Sequence, residues 1–392
     1  MARKRKNKKV KEAKEAKETG KKVDGKKPTY KKVVIKDAKK KKQKGFFING
    51  YVVVLILVLI LAVVFFAFNF DNIFKKSVQE IPTCGDGSFY DTCSTIKPYL
   101  CEKGLLVKAA RFCGCPNGLT KSGDACVNNL DTGAKQVSLS YFLDGEGGQF
   151  DLSLYKGLYD SYSNVSRIIS YGDGEKVFRV DFEFRKLNEE NQKPLLDGLV
   201  TKIENTAKSE EDKVRIAVSL VQNIEYGQSD KTISVGTNDT LSYSRYPYEI
   251  LYEGQGVCQE KSELLAYLLK RMNFGVVLFY NSKENHEYVG IKCPVEQSYW
   301  NSGYCFVETS GPSIISDEGI EYAGGIKITT KPDIMFISDG KSLPEGLREY
   351  SDADALMKIR DKLEQGKGLS SSDQKKLDEL NSYYGLSGVY EA

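Results

Sequence analysis

Every residue from Tyr51 to Phe68 is apolar, and the run extends back through Phe46, Phe47 and Ile48. About twenty such residues match the hydrocarbon thickness of a bilayer. Signal peptides have shorter apolar cores and a small-x-small cleavage site, and Phe65 to Phe70 offers none. The reading is an uncleaved signal anchor over residues 46–70. Residues 1–45 carry 21 Lys and Arg against 5 acids, a charge of +16. The remaining 36 basic and 48 acidic residues leave the rest at −12. A like-charged segment this poor in apolar residues does not fold alone. A nucleic-acid-binding arm is the sharper reading of that tail. A solvated cytoplasmic tail touching anionic lipid fits its place before the span, so no nucleic-acid partner is expected. Lysines before the span and acids after it put residues 71–392 outside the cell.

Cysteine usage agrees. Six of nine cysteines fall between Cys84 and Cys126, a density that belongs to an oxidising compartment. The Gly-, Pro-, Asp- and Ser-containing segment 81–128 reads as a small stapled module after a linker, Asp71 to Ile81. Three disulfides are expected there, with fifteen connectivities open. A zinc site is the rival, disfavoured by the lack of any histidine in the segment. Cys293 and Cys305 sit close together, which leaves Cys258 as an odd thiol in an exported chain.

The alternating stretches VSLSYFL, FDLSLY and FRVDFEF, divided by Gly-Asp turns, read as antiparallel strands of a β-rich leading domain, 135–210. Two sequons, at Asn164 and Asn238, are possible glycan acceptors. Apolar residues at Val214, Ala217, Leu220, Val221 and Ile224 have helical spacing. A second helix, QEKSELLAYLLKRMN, carries Leu264, Leu265, Leu268, Leu269 and Met272 on one stripe, with Gly275 marking its end. Strands follow at 276–280, 286–292 and 304–309, completing a unit over 211–342. Two polar helices, 347–365 and 371–384, form a hairpin in the terminal segment 345–386.

Within that unit Cys258 follows Gly254 and Gly256 at the mouth of a helix. Unpaired N–H groups and the positive end of the helix dipole favour thiolate there, and the glycines let a substrate carbonyl approach the backbone. A buried free cysteine that merely starts a helix is the plain alternative. His286 is the one histidine in the chain and begins a strand after a turn, so it is the candidate base for a Cys–His pair. Glu308, the acid of the strand YCFVET, is the candidate to orient the imidazole. Gln255 is a candidate oxyanion donor beside the backbone N–H of Cys258. No EF-hand, phosphate-binding loop or dinucleotide-binding loop is present, so no metal or nucleotide cofactor is expected.

Gly-x-Cys at a helix start, then a strand, a turn to His286 and an acid on the next strand resemble the transglutaminase-like superfamily. So do LVQNIEYGQ upstream and Trp300 ahead of the acid strand. The likeness covers about residues 211–312, and the layout resembles membrane-anchored prokaryotic, especially archaeal, members. It implies an α+β fold with a papain-like core, a helix packed on an antiparallel sheet. Cys258 would be the nucleophile, His286 the general base and Glu308 the orienting acid, where the family usually has Asp. The implied activity is acyl transfer from peptide or carboxamide bonds through a thioester. The expected partners are a protein or peptide substrate and membrane lipid. Hydrolysis is the first reading; a protein-glutamine transglutaminase and a non-catalytic adhesion protein are the alternatives. If His286 faced Glu308 directly across a ladder, Cys305 would lie opposite Val289, roughly 13 Å along the strand from Cys293. That is too far for a disulfide without a bulge or a folded-back loop.

Overall fold

The computed structural model describes residues 82–386 apart from 117–118, 129, 166, 168–173, 175, 177, 236–238 and 319–326, together with Tyr51, Val58 and Leu59. The lysine-rich tail, the linker 71–81 and most of the apolar span lie outside the described residues. Among the described residues no helix is long and apolar enough to cross a membrane.

The stapled segment comes first, with β1 (Tyr99–Glu102) paired to β2 (Leu105–Lys108), a helical turn α1 (Ala110–Cys113), and β3 (Thr120–Ser122) paired to β4 (Ala125–Val127). All six cysteines are in disulfides, Cys84–Cys101, Cys93–Cys113 and Cys115–Cys126. That removes the zinc reading. A long hairpin follows, β5 (Ala134–Leu143) and β6 (Glu146–Tyr155), in the expected alternation: Leu139 and Tyr141 of one strand and Phe150, Leu152 and Leu154 of the other point inward.

The β-rich reading then stops holding. Beyond β6 the chain is helical: α2 (Lys156–Tyr162), α3 (Arg179–Leu187) and α4 (Lys193–Thr206). FRVDFEF, read above as a strand, forms most of α3. Its period-two pattern is genuine, but Asp181 accepts the Phe178 N–H at 3.3 Å as an N3 carboxylate does in a helix cap. Glu183, Lys186 and Leu187, spaced three and four apart, turn inward. In α4 the spacing Leu196, Leu199, Val200, Ile203 carries the helical signal plainly.

The next elements are α5 (Glu210–Gln222), β7 (Glu225–Tyr226), β8 (Thr232–Val235) with β9 (Asp239–Ser242), α6 (Pro247–Glu253), β10 (Gln255–Gly256) and α7 (Cys258–Arg271). Helix α7 is the axis of the fold: eleven of its fourteen residues are buried, among them the Leu264–Leu265 and Leu268–Leu269 pairs. Its end differs in detail from expectation. Asn273, not Gly275, takes the left-handed turn, at φ 66°, and the Phe274 N–H closes back on the Leu269 carbonyl. Gly275 is needed for another reason, since a Cβ there would lie 2.8 Å from the Lys292 side chain.

Against α7 packs a sheet of β11 (Val276–Asn281), β12 (His286–Lys292), β13 (Tyr304–Val307) and β14 (Asp333–Ser338), in the order β13-β12-β11-β14, every pair antiparallel. The chain closes with α8 (Arg348–Glu364) and α9 (Ser371–Tyr384). The result is a mixed helix-and-sheet fold in which one buried apolar cluster runs from Cys84 through the hairpin, α4, α5 and α7 to the sheet and Tyr350.

Register resolves the conflict between His286 and the disulfide. Val289 faces Val307 and Ile291 faces Cys305, so the ladder brings neither pair directly opposite. Glu308 reaches His286, and Cys293 reaches Cys305, along diagonals of two residues in opposite senses. The disulfide forms at a Cα separation of 5.8 Å. Cys293 is held beyond the strand by an N–H to Gly303 carbonyl bond of 3.0 Å. No bulge between β12 and β13 is needed.

Candidate active site

Cys258 is the first residue of α7 and, of nine cysteines, the free one. The two glycines before it have jobs other than receiving substrate. Gly254 ends α6 in the left-handed conformation, φ 80°. A Cβ on Gly256 would press on Ile250 and Lys261, each at 3.2 Å. Glu260, the N3 residue, accepts the Val257 N–H at 3.0 Å, fixing where the helix begins.

His286 opens β12 opposite Asn281, directly after Asn285 takes φ 49° to close the hairpin. Its Nε2 lies 2.8 Å from Glu308 Oε2, and both residues are buried, at 1% and 0% exposure. The other ring nitrogen is left for the Cys258 thiol, and the interaction of the two lowers the pKa of the thiol and raises that of the imidazole. Glu308 stands one residue past β13, not within the strand. The turn it enters supplies its remaining partners: the N–H groups of Thr309 and Ser310 each donate to Oε1 at 2.8 Å. Glu thus reaches from outside the strand to a place a shorter acid would approach from nearer.

A buried network fixes the three elements together. Ser262 of α7 donates to the Glu287 carbonyl at 3.1 Å and bonds Thr309 at 2.9 Å, while Thr309 donates to the Cys258 carbonyl at 3.2 Å. The Lys261 ammonium donates to the carbonyls of Gln222, Ile224 and Ser310 at 3.2, 2.6 and 3.2 Å. Burial lowers its pKa to about 8 against the raising fields of Glu308 and Cys258.

The electrostatics favour an ion pair. Burial opposes ionisation of the Cys258 thiol, yet the hydrogen bond and charge of His286 and the Glu287 N–H outweigh it and bring the thiol below its ordinary value. Burial works against a charged His286 as well, but its bonds to Cys258 and Glu308 lift it to about 9. Burial likewise opposes the Glu308 carboxylate, and His286 with the Ser310 N–H holds it below the usual carboxylate range. This is how a cysteine becomes nucleophilic near neutrality.

Gln255 does not join the set. A Cβ on Gly227 would lie 2.3 Å from its Oε1, which places its amide against the β7 end, and it does not line the cavity of about 360 Å³ onto which Cys258 opens. Tyr226 takes that ground. Paired with Gly256 across the short parallel β7–β10 bridge, it lines the cavity beside Cys258. Burial, together with the charges of Cys258 and Glu308, raises its pKa to about 12. It sits in LVQNIEYGQ, the segment whose likeness to the family's leading helix gave Tyr226 itself no role. Trp300 is half exposed on a 3-10 turn, packed edge-on to Tyr299, and touches none of these groups.

No protein-family model matches the chain, and no curated protein does. Among solved structures, calcium-bound LapG of Legionella pneumophila aligns at 13% identity, covering 46% of this chain and 99% of LapG, with a TM-score of 0.24. So loose an overlap leaves the chemistry to the site's own geometry.

Proposed function

We propose that this chain is a membrane-anchored, outward-facing cysteine enzyme of transglutaminase-like type that cleaves peptide or carboxamide bonds through a Cys258 thioester. The buried Cys258–His286–Glu308 line, with its 2.8 Å His–Glu contact, carries the reading. Cys258 sulfur attacks the carbonyl carbon while His286 holds the thiol proton. The tetrahedral oxyanion forms at the Cys258 N–H. His286 passes its proton to the departing amine or ammonia, leaving an acyl-thioester. Water then attacks, giving a proton to His286, and the carboxylic acid leaves as sulfur regains the proton. Glu308 holds the ring and its positive charge throughout.

Hydrolysis is preferred to amine transfer because Gln228, Ser229, Ser242, Ser244 and Asn285 line the cavity around the thiol, a wetted wall that does not exclude water from the thioester. The test is the full chain in mild detergent with a Gln-containing protein and a labelled primary amine. Peptide or amide cleavage is expected to outrun amine incorporation. The reverse ranking would make it a transglutaminase, and neither product, with Cys258 reduced and accessible, would favour the non-catalytic adhesion protein.

The outward orientation rests on the lysine-rich tail before the apolar run and on the four disulfides. Protease added to intact cells is expected to remove the C-terminal part and spare the tail. A protected C-terminus would overturn it.

A further inference from the structure

Phe178, Ile334 and Phe336 are 58%, 45% and 54% exposed and stand around one cavity of about 500 Å³. Val180 and Phe184, one helical turn apart on α3, complete its apolar wall. β14 is the last strand in the order β13-β12-β11-β14, so among the described residues it pairs on one side only. Along it Met335 and Ile337 turn to the core, while Ile334 and Phe336 turn out. The outward face of an edge strand is usually polar or charged, because a bare apolar edge invites unwanted pairing. Exposed apolar residues scattered singly are ordinary, but a group of them around one hollow marks a surface that something covers.

That hollow runs into the one beside the thiol. Arg179 and Tyr280 line both, and the guanidinium stacks on the Tyr280 ring at 3.8 Å. The stacked pair is held from behind by Glu183, Glu263 and Glu287, which are buried with oxygens within 4.8 Å of one another. Arg179 donates to Glu287 at 2.9 Å, and Lys186 to Glu263 at 2.7 Å. The floor between the two hollows is therefore fixed. Register gives its width. Asp333 lies opposite Tyr280, and Tyr280 opposite Glu287, which follows His286 and lines the thiol's cavity. Two strand spacings are roughly 10 Å, and an extended chain rising about 3.3 Å per residue covers that in about three residues.

We propose that the hollow between α3 and β14 is the subsite that selects the substrate, an extended polypeptide. A large apolar side chain, of the size of Phe or Leu, fills it about three or four residues from the bond that Cys258 attacks. This rests on Cys258 as the nucleophile and narrows its substrate from carboxamides at large to polypeptides. A small amide has nothing that spans the Arg179–Tyr280 floor, so it gains no binding from the second hollow. Apolar walls recover the burial energy of a ring, whereas a carboxylate placed there loses its hydration without a partner.

The experiment uses the full chain in lipid nanodiscs, so that no detergent competes for the hollow, and two series of alkylating peptides. In both, the Cys258 thiolate displaces chloride, forming a carbon–sulfur bond as the carbon–chlorine bond breaks. Peptide chloromethyl ketones extend to the amino side of the reacting carbon, and chloroacetyl peptides to the carboxyl side. A single Phe, Ala or Asp is moved along an otherwise all-Gly chain. In one series Cys258 is expected to react about tenfold faster with Phe than with Ala or Asp at the third or fourth residue, as burial of a Phe ring allows. Combining Ile334→Ser with Phe336→Ser should bring that ratio down toward one. Both residues are exposed, so the unfolding midpoint should stay in place. Phe112→Ser, which removes an exposed ring of the stapled segment, should leave the ratio as it is. No Phe preference in either series, or a preference that the paired Ser replacements leave intact, would overturn the subsite. So would a concentration-dependent dimer abolished by those replacements, which would give the face to a second copy of the chain. A Phe preference in a chain that cleaves no peptide would keep the subsite and remove the catalytic reading alone. A thiol that neither series labels would remove both.

Discussion

The segment from Cys84 to Cys126 and the ground around α7 hold their shape by opposite means. The first has three disulfides within 43 positions and leaves Phe89 and Phe112 at 51% and 81% exposure. The second is built on a helix buried on every side, with sheet, α5 and the catalytic candidates packed around it. Too little apolar surface is enclosed in the stapled segment for packing alone to fix it. Around α7 the Cys258 thiol stays unpaired, because the other eight cysteines are joined to one another in four disulfides. The fourth disulfide, Cys293–Cys305, lies at the far end of the β12–β13 ladder from His286, where packing gives way to loops. Covalent constraint and reactive sulfur are kept apart.

The largest effect expected sits at that lone sulfur. Cys258→Ala and His286→Ala should each lower kcat/KM by ~10⁴-fold or more, and the double variant should lose little beyond either, because the two act as a unit. The unfolding midpoint of Cys258→Ala should hardly move, whereas that of His286→Ala should fall, because the buried Glu308 carboxylate loses its charge partner. Alkylation of the unreduced chain followed by peptide mapping should label Cys258 alone. Label on any disulfide cysteine would break the contrast.

Replacing Cys93 and Cys113 by Ser opens a loop of sequence separation 20 and should cost roughly 3 kcal/mol in chain entropy. Hydrogen exchange should rise over residues 82–128 while α7 amides stay protected, and turnover at 25 °C should hold. Loss of α7 protection would show that the two regions fold as one.

Next comes Glu308→Gln, which keeps a side chain able to orient the ring but drops the charge that sustains imidazolium. A loss of about 10²-fold in kcat is expected. The pH profile should narrow as well. The active form is thiolate with imidazolium, so the wild-type rate should fall on the acid side as the thiol, already below its ordinary 9.0, takes up a proton. It should fall on the alkaline side as His286 loses its proton near pH 9. Without the Glu308 charge the alkaline limb should move to lower pH. An alkaline limb unmoved by the substitution would mean that Glu308 acts by position alone.

What the sequence made legible follows from how local each signal is. The α7 stripe, the strand 286–292 and the paired Cys293 and Cys305 are fixed by near neighbours, and the structure has them where the pattern put them. FRVDFEF misled because alternation over seven residues fits a strand and an exposed-buried helix face alike, and only the cap at Asp181 and burial against α7 decide. Two-residue diagonals between strands cannot be read from spacing. Nor can the meeting of Glu183, Glu263 and Glu287, since they come from three elements spread over a hundred positions. Gln255 was a reasonable oxyanion candidate by proximity in sequence, but β10 turns its amide toward Gly227.

The smallest expected effect tests the residue that displaced it. Tyr226 is 41% exposed; it lines the cavity beside Cys258, where its hydroxyl feels the charge of the resting thiolate. A substrate carbonyl must reach the Cys258 N–H, so the phenol beside it has to leave room there. Once moved by about one hydrogen-bond length it can still donate to the oxyanion that forms. Removing one such donor from a buried, preorganised hole costs 10²–10³-fold, but a half-exposed phenol works in higher dielectric. Tyr226→Phe should therefore lower kcat about tenfold with little change in KM, and alkylation of the uncapped Cys258 should become faster. Gln255→Ala, measured beside it, should change turnover less than threefold. A rate for Tyr226→Phe equal to or above wild type would make the hydroxyl a cap on the resting thiol and nothing more. The oxyanion would then rest on the backbone N–H of Cys258 alone.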